Sequence, residues 1–156
     1  MNPGTLLRVV IVFFAGLLAG MEIVIHYGLR APVQLLNDRS QLQLRQELVL
    51  RLRILVPAFF GPAALSGVAI TVMDGMSPGM WFRCAGVVAA LVWIAIRIFG
   101  TIPINIATLT WNVEAPPAHW RGLVDHAERF HIVGVWAAVI AFACFLTGLA
   151  LRLAVY

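Results

Sequence analysis

A chain of 156 residues that is 62% hydrophobic and only 12% charged, with a mean hydropathy of +0.93, is too oily for a water-soluble domain. Such domains sit near about half apolar and about a quarter charged. The composition reads as one integral membrane domain covering residues 1–156. The net charge of +4 is carried by arginine alone and gathers in loops, with no basic stripe interleaved with aromatics. That charge speaks for topology and lipid contact and against a nucleic-acid partner.

Four segments are long enough to cross a bilayer, which takes about 20 apolar residues each. The first runs from about Thr5 to Gly28, past signal-peptide length, and reads as a retained transmembrane helix. Its Gly16–Gly20 pair has the small-xxx-small spacing of close helix packing and makes self-association plausible. Next, Asn37 to Arg53 reads as an amphipathic helix, with Leu42, Leu44, Leu48 and Leu52 among Arg45, Glu47, Arg51 and Arg53. Asp38 or Ser40 is the expected cap, and the arginines are expected at lipid head groups, unless Arg51 or Arg53 turns inward to an anion or to Glu22.

The second segment spans about Ile54 to Met73, its helix starting near Gln41, and the third about Met80 to Gly100. The Asp74–Gly79 stretch between them is a tight polar turn. A long connection follows, in which Pro103 disturbs a helix and Pro116-Pro117 stops one. Trp111 and Trp120 suit a membrane interface, and His119 reads as a loop residue. From Trp120 the spacing is helical and leads without a break into the fourth segment, about His131 to Ala154. Asp125, Glu128 and Arg129 read as a solvated face, and Cys84 and Cys144 as small packing residues. The fold class is therefore all-α: an integral membrane four-helix bundle with an amphipathic extension before the second span and a long loop between the third and fourth.

Arginine counting gives a topology. Arg30, Arg39, Arg45, Arg51, Arg53, Arg121 and Arg129 lie in the two long loops, with Arg97 close by, against Arg8, Arg83 and Arg152 at the opposite end. The positive-inside rule puts the long loops in the cytoplasm of a bacterial inner-membrane protein and both termini outside.

Depth counting also gathers a polar layer. About 17–18 residues into the first and third segments come Glu22 and Arg97, at the depth where the fourth segment opens with His131. Glu22 and His26 are one turn apart on one helix face, and Asn105, His126 and Arg129 lie just beyond on the same side. Ionisable groups at such depth are costly and face a bundle interior, where helical bundles build their sites.

Three chemistries suit these residues. Glu22, His26, His131 and His126 are candidate ligands of a transition metal, copper or iron, for which two imidazoles and a carboxylate leave open positions. His126 lies about 140° from His131 on an ideal helix and joins only if the helix is distorted. His26 and His131 are alternatively axial ligands of a haem clamped between the first and last helices. In the third reading Glu22 pairs with Arg97 and the layer is structural.

Three short elements also match a known pattern: the first helix with AGLLAG and then Ala31-Pro32, Pro103-Ile104-Asn105 after the third helix, and Trp120 leading through Glu128-Arg129-Phe130-His131 into the last. Together they resemble the anthrone oxygenase-like family of small four-helix integral membrane proteins. That resemblance implies oxygenation of polyketide anthrones to anthraquinones, with Pro103 and Asn105 on the P-x-N element and His131 at the residue opening the last helix. The chain has Gly134 where members of that family often carry an arginine.

The expected activity is thus a membrane-embedded oxidoreductase acting on a hydrophobic aromatic or quinone-like small molecule. Glu22, Arg97 and Asn105 are the catalytic candidates: Arg97 stabilises a developing oxyanion, and Asn105 orients substrate. His26 and His131 hold the metal with Glu22 or act as acid–base groups. The alternative is a non-enzymatic membrane subunit or haem-binding electron carrier in which the layer serves assembly.

Overall fold

A computed structural model describes residues 3–154, and every regular element among them is helical. The helices are α1 (Pro3–Ile23), α2 (Arg30–Gln34), α3 (Asp38–Asp74), α4 (Met80–Ile96), α5 (Ile102–Thr108) and α6 (Trp120–Leu153). Two π-helical stretches join them, Val24–Leu29 between α1 and α2 and Arg97–Thr101 between α4 and α5. Four continuous helical runs result, Pro3–Gln34, Asp38–Asp74, Met80–Thr108 and Trp120–Leu153, each long and apolar enough to cross a membrane.

All four overrun the apolar segments read from the sequence, because each continues as polar helix beyond one end of its oily part. The extension before the second span is helical from Asp38, and its cap is Asn37 rather than Asp38 or Ser40: the Asn37 Oδ1 accepts from the Ser40 N–H at 2.9 Å. The expected turn between α3 and α4 is present. Gly75 and Gly79 both take positive φ, +50° and +83°. A Cβ at Gly79 would stand 2.6 Å from the Gly148 carbonyl oxygen, so glycine lets this turn sit directly on α6. Arg83 ties the turn together, donating to the Gly75 and Pro78 carbonyls and to Ser77 Oγ, while Asp74 pairs with both Arg8 and Arg83.

The four long helices close into a ring in which α1 packs on α3 and α6, and α4 on α3 and α6, leaving α1 and α4 on a diagonal. The interior is built from small residues, which let helices approach where no water drives them together. One cluster holds Ile11, Ala15, Ala63, Ala141 and Phe145, and a second holds Leu18, Ala19, Trp93, Ala137 and Ala138. Phe13, Leu65, Val72, Trp81, Phe99 and Trp136 stand well exposed on the outside. The bundle thus turns an apolar exterior outward around an alanine-rich core.

Each π-helical stretch is followed closely by a proline, Pro32 or Pro103, whereas Pro57 and Pro62 lie within unbroken α3. Pro32 and Pro103 each lack an N–H for the carbonyl four residues back, and each ring crowds that carbonyl. Those carbonyls belong to Gly28 and Phe99, both inside the π-helical stretches. A widened turn relieves the crowding and lets the helix run on. Pro103 therefore does not end the third helix: it falls in the first turn of α5, which continues to Thr108. Both widened turns lie at the depth of Glu22 and Arg97.

Candidate functional site

At the second core cluster the bundle changes from alanine to charge. Trp93 is 1% exposed, stacks on Phe60 with ring centroids 4.7 Å apart, and carries the Arg97 guanidinium over its other surroundings at 5.2 Å from the ring centroid. From there Arg97 reaches across the diagonal to Glu22 Oε1, forming the ion pair expected from depth counting. Glu22 has no solvent exposure at all. Its other oxygen, Oε2, lies 3.6 Å from His131 Nδ1 on α6. One carboxylate thus faces an arginine on one side and an imidazole on the other.

The layer continues outward from His131. The His26 and His131 rings have centroids 5.4 Å apart, and His26 Nδ1 is 3.8 Å from Glu128 Oε2. Glu128 Oε1 is 3.5 Å from Arg45 Nη1, and Arg45 Nη2 donates to Asn105 Oδ1 at 3.1 Å. Glu22, His26 and His131 are buried, whereas Arg45 and Glu128 are partly open at the membrane-face end of the bundle. Glu22 Oε2, His26 Nδ1 and His131 Nε2 are buried with no hydrogen-bond partner. Arg45 Nε, Trp93 Nε1 and Arg97 Nε are unpartnered as well, and so many costly unsatisfied atoms in one layer ask for an explanation.

Local structure puts each side chain there. Val24–Leu29 turns His26 into the bundle, and the stretch opening at Arg97 delivers the guanidinium to the diagonal. Gly100 permits that stretch to lie on α6, because a Cβ there would meet the Phe130 side chain at 2.5 Å. The rim is pinned by Gln46, whose Nε2 donates to the Thr108 and Trp111 carbonyls at 3.0 Å each. Exposed ion pairs, Arg39 with Glu114 and Arg121 with Asp38, add little energy but tie the long connection to the start of α3.

Glu22, His26, Arg97 and His131 come together directly, and Asn105 joins through Arg45. His126 does not join. The α6 helix is unbroken across it, so the five-residue offset stands; His126 is exposed and its ring meets Phe130 edge-on at 5.0 Å. Arg51 and Arg53 are exposed, and Arg45 is the arginine that turns inward. Glu128 is not part of a solvated face. Both residues carried a signal in the sequence: Arg45 is three residues after the fully buried Leu42, and Glu128 three before His131, each on the same helix face. His119 is the N-cap residue of α6 through its carbonyl, which accepts from the Leu123 N–H at 3.2 Å, without a side-chain cap bond, and Cys84 and Cys144 are free and half-buried.

The donor set has the chemistry of a transition-metal site, two imidazoles and a carboxylate with unpartnered atoms. In this arrangement, though, one Glu22 oxygen is held by a guanidinium, and among the described residues no group of three His, Cys, Asp or Glu side chains is placed to hold a metal ion. The His26 and His131 rings lie at the spacing of packed aromatics, so a haem between them requires α1 and α6 to part. The residues as placed are therefore read through their own acid–base chemistry. Two pockets in the bundle hold about 10 Å³ each, one of them lined by Phe60 and Trp93, which is space for about one water. No family model, curated protein or solved structure matches the chain.

Proposed function

We propose that the chain is a membrane-embedded oxidoreductase of the oxygenase type, acting on a hydrophobic aromatic or quinone-like small molecule at the polar layer. The observation that carries this reading is the fully buried Glu22, placed between Arg97 and His131 in an otherwise oily bundle, with Oε2 and His131 Nε2 unpartnered. A carboxylate behind one ring nitrogen orients an imidazole and leaves the other nitrogen to act as a base. The 3.6 Å separation of Glu22 Oε2 and His131 Nδ1 is longer than a hydrogen bond, and catalytic pairs of this kind often tighten only when substrate is bound.

In the scheme His131 removes a proton from a methylene flanked by aromatic rings, or from the hydroxyl of its enol form. The electron-rich anion then reduces dioxygen. The balance closes without a further reductant: the CH2 group and O2 become a C=O group and H2O. Arg97 stabilises the oxyanion as charge develops, and Arg45, held by Asn105, borders the open end where substrate enters from the bilayer interface. Resemblance of Pro103, Asn105 and His131 to the anthrone oxygenase-like pattern supports the same substrate class. The arginine excess at this end supports a cytoplasmic orientation for it in a bacterial inner membrane.

A second reading, a structural membrane subunit, is favoured by the Arg97–Glu22 pair alone, since the pair neutralises the layer's deepest charges. Oxygen uptake by the full chain in detergent or lipid, with an anthrone as substrate, separates the two. Turnover that His131→Ala abolishes and His126→Ala leaves intact supports the oxygenase. No uptake with any such substrate leaves the structural subunit. Stoichiometric copper or iron in tag-free protein, lost on His26→Ala, would instead make the layer a metal centre.

A further inference from the structure

We infer that the buried Glu22–His131 pair exchanges protons with water at the polar end of the bundle through His26 and Glu128. The inference shares its site with the oxygenase reading and does not need that chemistry.

Four groups able to gain and lose a proton stand in file. Glu22 Oε2 is 3.6 Å from His131 Nδ1, the His131 ring is 5.4 Å from that of His26, and His26 Nδ1 is 3.8 Å from Glu128 Oε2. Solvent exposure is negligible along the file until its last member, whose side chain is 24% exposed. The charged neighbours block the other directions. Arg97 is Glu22's second partner and Arg45 is Glu128's, and a guanidinium does not give up its proton in a protein. Below Glu22 lies the apolar cluster of Leu18, Ala19, Trp93, Ala137 and Ala138. A proton on the deep pair therefore has one chemically competent neighbour, His131, and from there the next is His26.

None of the three gaps is a direct hydrogen bond, and Glu22 Oε2, His131 Nε2 and His26 Nδ1 are among the buried atoms that have no hydrogen-bond partner. The relay runs when a water or a small ring rotation bridges each gap. An imidazole accepts a proton on one nitrogen and releases one from the other, so no ion is stranded in the bundle; each transfer switches the ring's tautomer, and a ring rotation resets it for the next. Glu128 takes the proton from His26 and passes it to water. The two arginines hold the end carboxylates in place and balance their charge, so the layer stays neutral whenever no proton is in transit.

The test follows the protonation of Glu22 by infrared spectroscopy on the full chain in liposomes after a step in external pH. The Glu22 signal is assigned by its absence in Glu22→Gln. Glu128→Gln and His26→Asn are expected to slow the response by at least about tenfold. Glu128→Asp is expected to restore it, as is free imidazole added to the buffer of Glu128→Gln. Unchanged rates in both variants would overturn the inference, as would a slowed rate that neither imidazole nor Glu128→Asp restores. If Glu128→Gln does not fold, His26→Asn and Glu128→Asp decide the question on the same scale. Absence of oxygen uptake alongside the expected proton kinetics removes the oxygenase reading and leaves the relay standing.

Discussion

Glu22 and Arg97 face each other across the bundle diagonal, on two helices that each pack more extensively on their neighbours. The pair therefore adds a polar tie across the diagonal just beyond the core cluster that Leu18 and Ala19 share with Trp93. Each partner is buried chiefly because the other is. Removing one leaves an uncompensated charge inside the bundle, a loss of about 3–5 kcal/mol, whereas removing both trades a costly desolvation for a lost attraction. Glu22→Gln and Arg97→Gln are each expected to lower stability by about 3 kcal/mol. The double variant is expected to recover most of that loss. Reversible unfolding of the four proteins in mixed micelles gives the coupling energy directly; additive losses would mean the pair does not hold the diagonal.

Two histidines five residues apart on α6 receive opposite environments from one uninterrupted helix. His131 is buried against Glu22, while His126 is exposed beside Phe130. His126→Ala is expected to change stability by no more than about 0.5 kcal/mol, as surface substitutions do, and to leave turnover unaltered. On the proposed oxygenase reading His131→Ala removes the base and is expected to cut turnover by about 10²–10⁴-fold. Steady-state oxygen uptake measures both, and equal effects would disprove the assignment of the base.

The sequence made the bundle legible because its signals are long: four apolar runs, a glycine-rich turn at Asp74–Gly79 and a proline pair before Trp120. Counting depth along those runs was enough to bring Glu22 to Arg97. What counting could not supply was rotation. It treats every helix as ideal, whereas Pro32 and Pro103 widen the turns before them and change the phase of what surrounds them. Arg45 was hidden among other arginines of an amphipathic stretch, and Glu128 within a charged run. Each is distinguished only by a three-residue offset from a buried neighbour, which has meaning once the helix face is known.

Arg45 is the one residue that touches both Glu128 and Asn105, and so joins α3 to α5 and α6 at the open end. Its loss leaves Gln46 as the remaining tie from α3 to the segment around Thr108. Arg45→Met keeps the length of the side chain without its charge. Hydrogen exchange is then expected to accelerate in α5 and the first turns of α6, with α1 and the centre of α4 as protected as before. Local opening draws on the least stable contacts first, and here those contacts are polar and at the rim. Uniform acceleration along all four long helices would show that Arg45 supports the whole bundle instead.

Two glycines at nearly the same depth provide a steric test of the layer. A Cβ on Gly20 meets nothing within 4 Å, whereas one on Gly100 would lie 2.5 Å from the Phe130 ring and 2.7 Å from its Cβ. Alanine in a helix is favoured over glycine by about 0.5–1 kcal/mol, so Gly20→Ala is expected to stabilise by that amount or be neutral. Gly100→Ala has the same propensity gain but must push α6 away from the Arg97–Thr101 turn, and overpacking of this kind costs about 1–3 kcal/mol. The displacement falls three residues from Arg97 on one side and one from His131 on the other, so the layer should loosen even where the bundle holds. Thermal unfolding should separate the two variants by at least about 1 kcal/mol. Turnover should fall only in Gly100→Ala. Equal stability with unequal turnover would locate the effect in the layer alone, while a Gly100→Ala as active and stable as Gly20→Ala would show that the close approach to Phe130 does not position Arg97.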